Sequence, residues 1–288
     1  MEVDAGQSSL LRQFLSGLTN QRADAYGRDR ALLLAETLAE VRAALGGGGL
    51  GLRLSCDELA PWAGLTPEAG AALAARFAPL VDYLVVVKGS IYSAWAVRPD
   101  GHVPVGFNLD LARLVRAAVG DGTVLVAQGS IVDVALAEEA LASGVCDAVE
   151  MTRAQIADGA LGAKAASGEA HRVRPCVLCN QRCSVRDGRN PIVSCVADPE
   201  SGWEGTEEGG SGKAAERRHF LIVGAGPAGL EAARVAALRG HRVTVIEQES
   251  EAGGAGRLVA SLPGRERFRL LLDWLRAEGD AAGVEFVH

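Results

Sequence analysis

No apolar run in this 288-residue sequence approaches the roughly 20 residues that a membrane-spanning helix requires. The opening MEVDAGQSSL has neither the basic nor the apolar region of a secretory signal. A surplus of positive charge is missing too: 29 Lys and Arg stand against 36 Asp and Glu, for a formal net charge of −7. No basic stripe of the kind that phosphate binding demands runs along the chain, so nucleic acid is not an expected partner. There is no acidic tail, and no internal repeat beyond an alternation of strand-like and helical segments. What remains is 48% hydrophobic and 23% charged, which can bury a substantial core in one large or two ordinary domains. The expected setting is the cytoplasm.

Strand-like apolar runs at residues 50–54, 83–87, 124–127 and 148–151 alternate with helical stretches near 29–45, 66–79, 108–119 and 131–143. Repeated βα units predict a parallel sheet. Residues 1–3 offer one more strand, followed by a loop and a helix around residues 10–15, and the glycines at 46–49 read as a helix-to-strand turn. From 202 to 218 glycine and charge replace apolar periodicity, which predicts a linker.

Four of the six cysteines, Cys176, Cys179, Cys183 and Cys195, fall in the polar segment CVLCNQRCSVRDGRNPIVSC. Two tight spacers and one longer return let four thiolates converge on one centre. A cubane 4Fe-4S cluster asks for four thiolates. Tetrahedral zinc asks for the same set but usually takes it from two CxxC knuckles, so iron–sulfur ranks above zinc, and both rank above four unconnected thiols. Cys56 and Cys146 lie apart in apolar contexts and read as small buried residues of a reducing compartment.

After the linker, HFLIVGAGPAGLEAARVAALRGHRVTVIE reads as strand, glycine turn, helix and second strand. Gly224 suits the tight turn, Gly226 lets backbone amides approach a pyrophosphate, and Gly229 lets the helix pack closely on the sheet. The helix N-terminus then faces the phosphates. Glu247, ending the second strand, suits a ribose and favours FAD or NAD(H) over a 2′-phosphorylated cofactor. The alternative is a glycine-rich turn that merely packs a helix. About seventy residues follow the linker, fewer than a complete FAD domain of this type needs, so the expected FAD site is partial.

The spacing CxxCxxxC with a distant fourth cysteine, and Asn180 and Gln181 after the second, resembles the cluster loop of the 2,4-dienoyl-CoA reductase and trimethylamine dehydrogenase class of old yellow enzyme relatives. Gln13, Phe14, Leu15, Ser16, Asn20, Arg22, Asp24, Tyr26 and Gly27 match in order that family's QFLSP, NxRxDxYGG stretch. The resemblance implies an α/β fold: the C-terminal part, about strands four to eight, of an FMN-binding TIM barrel over residues 1–170, a cluster loop at 171–201, the linker at 202–218, and the start of a Rossmann-like FAD/NAD(P)-binding domain at 219–288. Strands one to three of such a barrel are not in this sequence, which makes the chain resemble the middle of a longer protein. Gly253 and Gly254 resemble the second glycine pair of two-dinucleotide flavoproteins, which favours FAD.

In that frame Arg53 matches the arginine beside the flavin N1 and O2 edge, where a fixed positive charge stabilises the anionic reduced flavin. Its alternative is a surface or barrel-end ion pair. Gln128, Gly129 and Ser130 after strand seven, with Thr152 and Arg153 after strand eight, resemble the FMN phosphate site. The family more often carries glycine at 128 and 152. Lys88 ends strand six and is a candidate for substrate or flavin contact or for a structural ion pair. The family's histidines and tyrosine fall at Asp4, Gln7 and Ser9, none an equivalent proton donor, so no catalytic residue is assigned. These departures, with GGSLENR shortened to GRDR, resemble the subgroup associated with the peptide-derived redox cofactor mycofactocin.

The implied function is an FMN-, iron–sulfur- and FAD-dependent oxidoreductase with NAD(P)H as electron donor and a small molecule as substrate. The alternatives are an incomplete, non-catalytic fragment or a split enzyme whose barrel is completed by a partner chain or a second copy, and an iron–sulfur or zinc module that docks to a partner.

Overall fold

The computed structural model describes residues 1–184, 188–189, 192–205 and 212–288. Positions 185–187 and 190–191 of the expected cluster loop, and 206–211 of the expected linker, lie outside the described residues. The chain divides into two compact units, one of residues 1–99 and 104–151, the other of residues 100–103 and 152–288.

In the first unit the elements are β1 (Glu2–Ala5), α1 (Leu10–Leu15), α2 (Ala25–Arg28), α3 (Leu32–Leu45), β2 (Gly51–Asp57), α4 (Pro67–Phe77), β3 (Tyr83–Lys88), α5 (Ala94–Val97), α6 (Leu109–Val119), β4 (Val124–Gln128), α7 (Val134–Ala142) and β5 (Ala148–Glu150). All four neighbouring strand pairs are parallel and the order is β1-β2-β3-β4-β5, so the sheet winds in one direction without a reversal. Each crossover contains at least one helix, as parallel pairing requires. Six of the seven residues of β2 are buried, the near-continuous burial of a parallel strand covered on both faces.

Local chemistry sets the helix positions. Thr66 caps α4 by accepting from the Ala69 amide, Pro67 opens the first turn, and Arg76 stands in the last. Gly70 on that helix is obligatory: a Cβ there would come within 2.1 Å of the Cys56 carbonyl oxygen, so α4 lies directly on β2. Gly46, with φ +57°, ends α3 in a conformation open to glycine. Leu34, Leu38, Leu52, Leu54, Phe77, Leu84 and Leu125 form the core between helices and sheet. Truncating any one of those leucines to alanine costs about 2–5 kcal/mol.

The second unit contains α8 (Thr152–Ala157), α9 (Leu161–Ala166), β6 (His219–Val223), α10 (Pro227–Leu238), β7 (Arg242–Ile246), α11 (Ala255–Ala260), α12 (Phe268–Ala281) and β8 (Glu285–Val287). Its sheet is parallel, in the order β6-β7-β8. Leu230 and Ala233 of α10, Val243 and Val245 of β7, and Leu271, Trp274 and Leu275 of α12 share one core, against which Val177 and Ala197 of the cysteine segment also pack. The cysteine segment is therefore built onto the dinucleotide-type fold. Among the described residues no helix is long and apolar enough to cross a membrane.

Candidate functional site

At the carboxyl ends of the first sheet, the residues standing where the resembled family has histidines and tyrosine serve the backbone. Asp4 Oδ1 accepts from the Gly6 amide at 2.6 Å, and Ser9 Oγ accepts from the Arg12 amide at 3.1 Å as the cap of α1. Gln7 Nε2 donates to the Lys88 carbonyl at 3.4 Å. The apolar run at residues 50–54 puts Arg53 next to the end of its strand. Instead β2 runs on to Asp57, and Arg53 is its third residue. Its guanidinium donates to Glu2 Oε1 at 2.7 Å and to Glu150 Oε2 at 2.8 Å, which is the ion-pair arrangement its sequence context also allowed. Lys88 Nζ lies 3.7 Å from Asp57 Oδ2 and 4.7 Å from the centre of the Phe107 ring.

The turn after β4 places Gly129 at φ +132° and Ser130 at φ +54°. A Cβ on Gly129 would lie 2.4 Å from Asn108 Cβ, so glycine is required there. Asn108 Nδ2 fastens the turn by donating to the Val86 carbonyl at 3.0 Å and the Gln128 carbonyl at 2.7 Å. Its buried Oδ1 has no protein partner. A tight turn with successive amides and an orphaned buried acceptor beside it suits a polar ligand at this strand end. The fit to FMN is mixed. Gln128 and Gly129 offer backbone, but the Arg53 charge is already balanced by two carboxylates.

Thr152 opens α8 in the second unit, and Arg153 follows it. Arg153 Nη1 donates to Asn180 Oδ1 at 2.8 Å. Arg153 also lines a small cavity together with Cys176, Cys179, Cys183 and Cys195, and with Asn180 and Arg182. All four cysteines of the sequence motif thus face one space. Among the described residues no group of three or more His, Cys, Asp or Glu side chains is drawn into metal-holding geometry. Burial pushes the Cys176 thiol up to about 11, opposed by a hydrogen bond from the Leu178 amide and the Arg153 charge and reinforced by Cys195 and Cys183. Burial likewise raises Cys195, with Cys179 and Cys183 adding to the rise. A shared, shielded set of four sulfurs suits a cluster or a zinc ion, which replaces the protons by metal bonds. Cys56, pushed to about 12 by burial, and buried Cys146 stand apart from this set.

The glycine turn has the geometry a dinucleotide needs. Gly224 takes φ +96°. At Gly229 a Cβ would meet the Gly224 carbonyl oxygen at 2.0 Å, so the close packing of α10 forbids a side chain there. Gly226 caps α10, and no atom lies within 4 Å of where its Cβ would be. That open space at a helix N-terminus is what a pyrophosphate would fill. Glu247, at the end of β7, is buried. Its Oε2 accepts from the Ala225 amide at 2.7 Å and its Oε1 from the Glu249 amide at 3.1 Å, which holds its pKa below the ordinary glutamate value. Gly253, from the second glycine pair, donates to the Ala225 carbonyl at 2.7 Å, so both pairs belong to one turn assembly.

Asn108, signalled only by its position before a helix, and Asp57, which follows directly on RLSC, carry little sign of these contacts in the sequence. Nor does the sequence announce the fully buried Arg12–Glu58 ion pair, to which Ser16 Oγ donates at 2.5 Å and the Leu65 amide at 2.8 Å.

Comparison with known proteins accords with both halves of this description. The NADH:flavin oxidoreductase / NADH oxidase family matches residues 1–172, and an NAD(P)-binding Rossmann-like domain matches residues 222–282. The chain is 36% identical over 286 residues to a probable N-methylproline demethylase of Rhizobium meliloti (strain 1021), covering 96% of this chain and 42% of that protein. It is also 36% identical over 293 residues to a metal reductase of Desulforamulus reducens (strain ATCC BAA-1160 / DSM 100696 / MI-1), covering 99% of this chain and 42% of that protein. Its fold superposes on 2-naphthoyl-CoA reductase in complex with 2-naphthoyl-CoA with a TM-score of 0.93 at 30% identity, over 99% of this chain and 44% of that one. The chain therefore spans rather less than half the length of these relatives. With its N-terminal 172 residues matched throughout, the chain belongs to the NADH:flavin oxidoreductase / NADH oxidase family, among the old yellow enzyme relatives of the trimethylamine dehydrogenase type.

Proposed function

We propose that this chain forms part of an FMN-, iron–sulfur- and FAD-dependent oxidoreductase that uses NAD(P)H to reduce an activated double bond, or carries out related redox chemistry, on a small molecule. The observation that carries the reading is the convergence of Cys176, Cys179, Cys183 and Cys195 on one cavity within the unit that also holds the glycine turn. When bound, FMN would supply hydride chemistry at the substrate, the 4Fe-4S cluster single-electron passage, and FAD the entry of electrons from NAD(P)H.

The protein's own groups bind and orient. In this reading residues 1–170 are strands four to eight of an FMN-binding TIM barrel, supported by five parallel strands in unreversed order. Residues 171–201 are the cluster loop, 202–218 a linker and 219–288 the beginning of the FAD/NAD(P)-binding domain. Gln128, Gly129 and Thr152 would hold the FMN phosphate through backbone amides and Arg153 through its guanidinium. Arg53 would sit at the flavin edge, where Glu2 and Glu150 temper its charge. The four thiolates would hold the cluster. Gly224, Gly226 and Gly229 would admit a pyrophosphate, and Glu247 would turn from the Ala225 amide to a ribose. The setting is cytoplasmic, and a second copy or a partner chain would complete the barrel.

The test is purification without oxygen, followed by absorption spectroscopy and iron, sulfide and flavin analysis. About four irons and four sulfides per chain with FMN is the expected result. A cluster without flavin would favour a fragment or split enzyme, and zinc in place of iron would overturn the reading.

A further inference from the structure

Residues 99–104 read PDGHVP, and two prolines around an Asp-Gly pair specify a tight turn. The structure forms it within the second unit: the Val103 amide donates to the Asp100 carbonyl at 3.1 Å, and Asp100 Oδ1 accepts from the His102 amide at 3.0 Å. His102 Nδ1 also lies 3.0 Å from Asp100 Oδ1. The turn is seated on the loop between α11 and α12. A Cβ on Gly101 would lie 2.1 Å from the Gly264 carbonyl oxygen, and a Cβ on Gly264, which takes φ +72°, would lie 2.5–2.6 Å from the His102 ring. Gly101 itself stays out of the left-handed region, so glycine there answers to space and not to φ.

What this seat supports is the cysteine turn. The Gly101 amide donates to the Leu178 carbonyl at 3.2 Å. Leu178, between Cys176 and Cys179, is buried and takes φ +54°, a backbone that leucine keeps only where its surroundings hold it. The loop that seats the turn ends at Arg267, whose Nε donates to the Cys176 carbonyl at 2.9 Å. Val177, packed in the core of the second unit, stands between these two held carbonyls. The backbone from Cys176 to Cys179 is thus fixed on both sides of Val177, and the left-handed Leu178 sets the direction in which the chain presents Cys179.

We propose that the Asp100–Val103 turn is a brace of the cysteine centre: wedged on Gly264, it holds the Leu178 carbonyl through the Gly101 amide and so fixes the direction in which Cys179 meets a bound metal. The inference rests on the reading of the four cysteines as metal ligands and goes beyond it, since neither Gly101 nor Gly264 belongs to the ligand set. Both are positioning residues. Groups that orient metal ligands from outside the ligand set are typically worth about 10–100-fold in metal affinity. A methyl group at 101 would push the turn off Gly264, because the obstacle is backbone, and would stretch the bond to Leu178.

The test loads the full chain, without oxygen, with iron and sulfide or with zinc, as parent, Gly101→Ala, Gly264→Ala, the double variant Gly264→Ala, His102→Ala, and Gly70→Ala. Metal retained against a chelator is measured, with the urea midpoint of each protein. Gly70→Ala is the matched control, because its methyl group would also lie 2.1 Å from a carbonyl oxygen, that of Cys56 on β2. Gly101→Ala and Gly264→Ala are expected to hold metal about 10–100-fold more weakly than the parent, and Gly70→Ala to hold it as the parent does. Removing the His102 ring makes room for the methyl group at 264, so the double variant should recover part of the retention lost in Gly264→Ala. That comparison decides alone if Gly101→Ala does not fold. Parent-like retention in folded Gly101→Ala, equal loss in Gly70→Ala, or no recovery in the double variant would overturn the proposal and leave the cysteine assignment standing. A parent that takes up zinc alone would sink the iron–sulfur reading while the same comparisons on zinc decide the brace, and a parent that takes neither metal would sink both.

Discussion

Gly229 and Gly226 sit three residues apart in the same motif, yet the structure gives them opposite sensitivities. A methyl group at 229 would lie 2.0 Å from the Gly224 carbonyl oxygen and 3.2 Å from its carbon, where ordinary contact begins at 3.4 Å. The obstacle is backbone, so relief requires α10 to move away from the turn by more than an ångström. That movement would strain the packing of Leu230 and Ala233 in the core. Overpacking of a well-filled site costs about 1–3 kcal/mol, and a backbone obstacle points to the upper end. Alanine recovers about 1 kcal/mol through its better helix propensity, so Gly229→Ala should lose about 2 kcal/mol net. At 226 no atom lies within 4 Å of the added methyl group, and the residue, with φ −70°, caps the helix in ordinary backbone. Gly226→Ala should therefore stay within about 0.5 kcal/mol of the parent. Urea unfolding followed by far-ultraviolet circular dichroism measures both variants. A Gly229→Ala protein within 0.5 kcal/mol of the parent, or a Gly226→Ala protein as damaged as its neighbour, would refute the packing argument.

Cys179→Ser should abolish cluster colour after reconstitution, and a variant with full iron content would remove Cys179 from the ligand set. Arg12→Met leaves Glu58 buried without its cation and should cost about 3–5 kcal/mol in urea unfolding; the double variant Arg12→Met, Glu58→Gln should recover part of that loss, and equal instability of the two would count against the pairing. Glu247 has a folded pKa below the ordinary 4.5 because the Ala225 and Glu249 amides donate to its carboxylate. Its contribution is complete above the unfolded value and is lost as pH falls through the lower folded value. The stability gap between the parent and Glu247→Gln should accordingly narrow below pH 4.5, and a gap unchanged down to pH 3 would contradict this, as measured by urea midpoints across the range.

Much of the architecture was legible because its determinants are local. Apolar runs of strand length alternate with amphipathic stretches, Thr66 and Pro67 announce α4, and the glycines of the dinucleotide turn report a close approach that the structure bears out at Gly229. The gathering of the four cysteines was legible for the same reason, since short spacers confine them to one loop. The side-chain partners of the arginines were not. An arginine between two leucines says that a charge must be balanced near a strand, but not by which carboxylate. Glu150 lies 97 residues from Arg53 in sequence and meets it only after three parallel crossovers have brought both side chains to one side of the sheet. Arg153 shows the same limit over 27 residues. Its position after a strand suggested phosphate, while its bond to Asn180 depends on a left-handed turn that no periodicity signals. Both arginines were singled out as cations, and in both the fold chooses the neighbour: Glu2 and Glu150 temper Arg53, and Arg153 donates to the side-chain oxygen of Asn180.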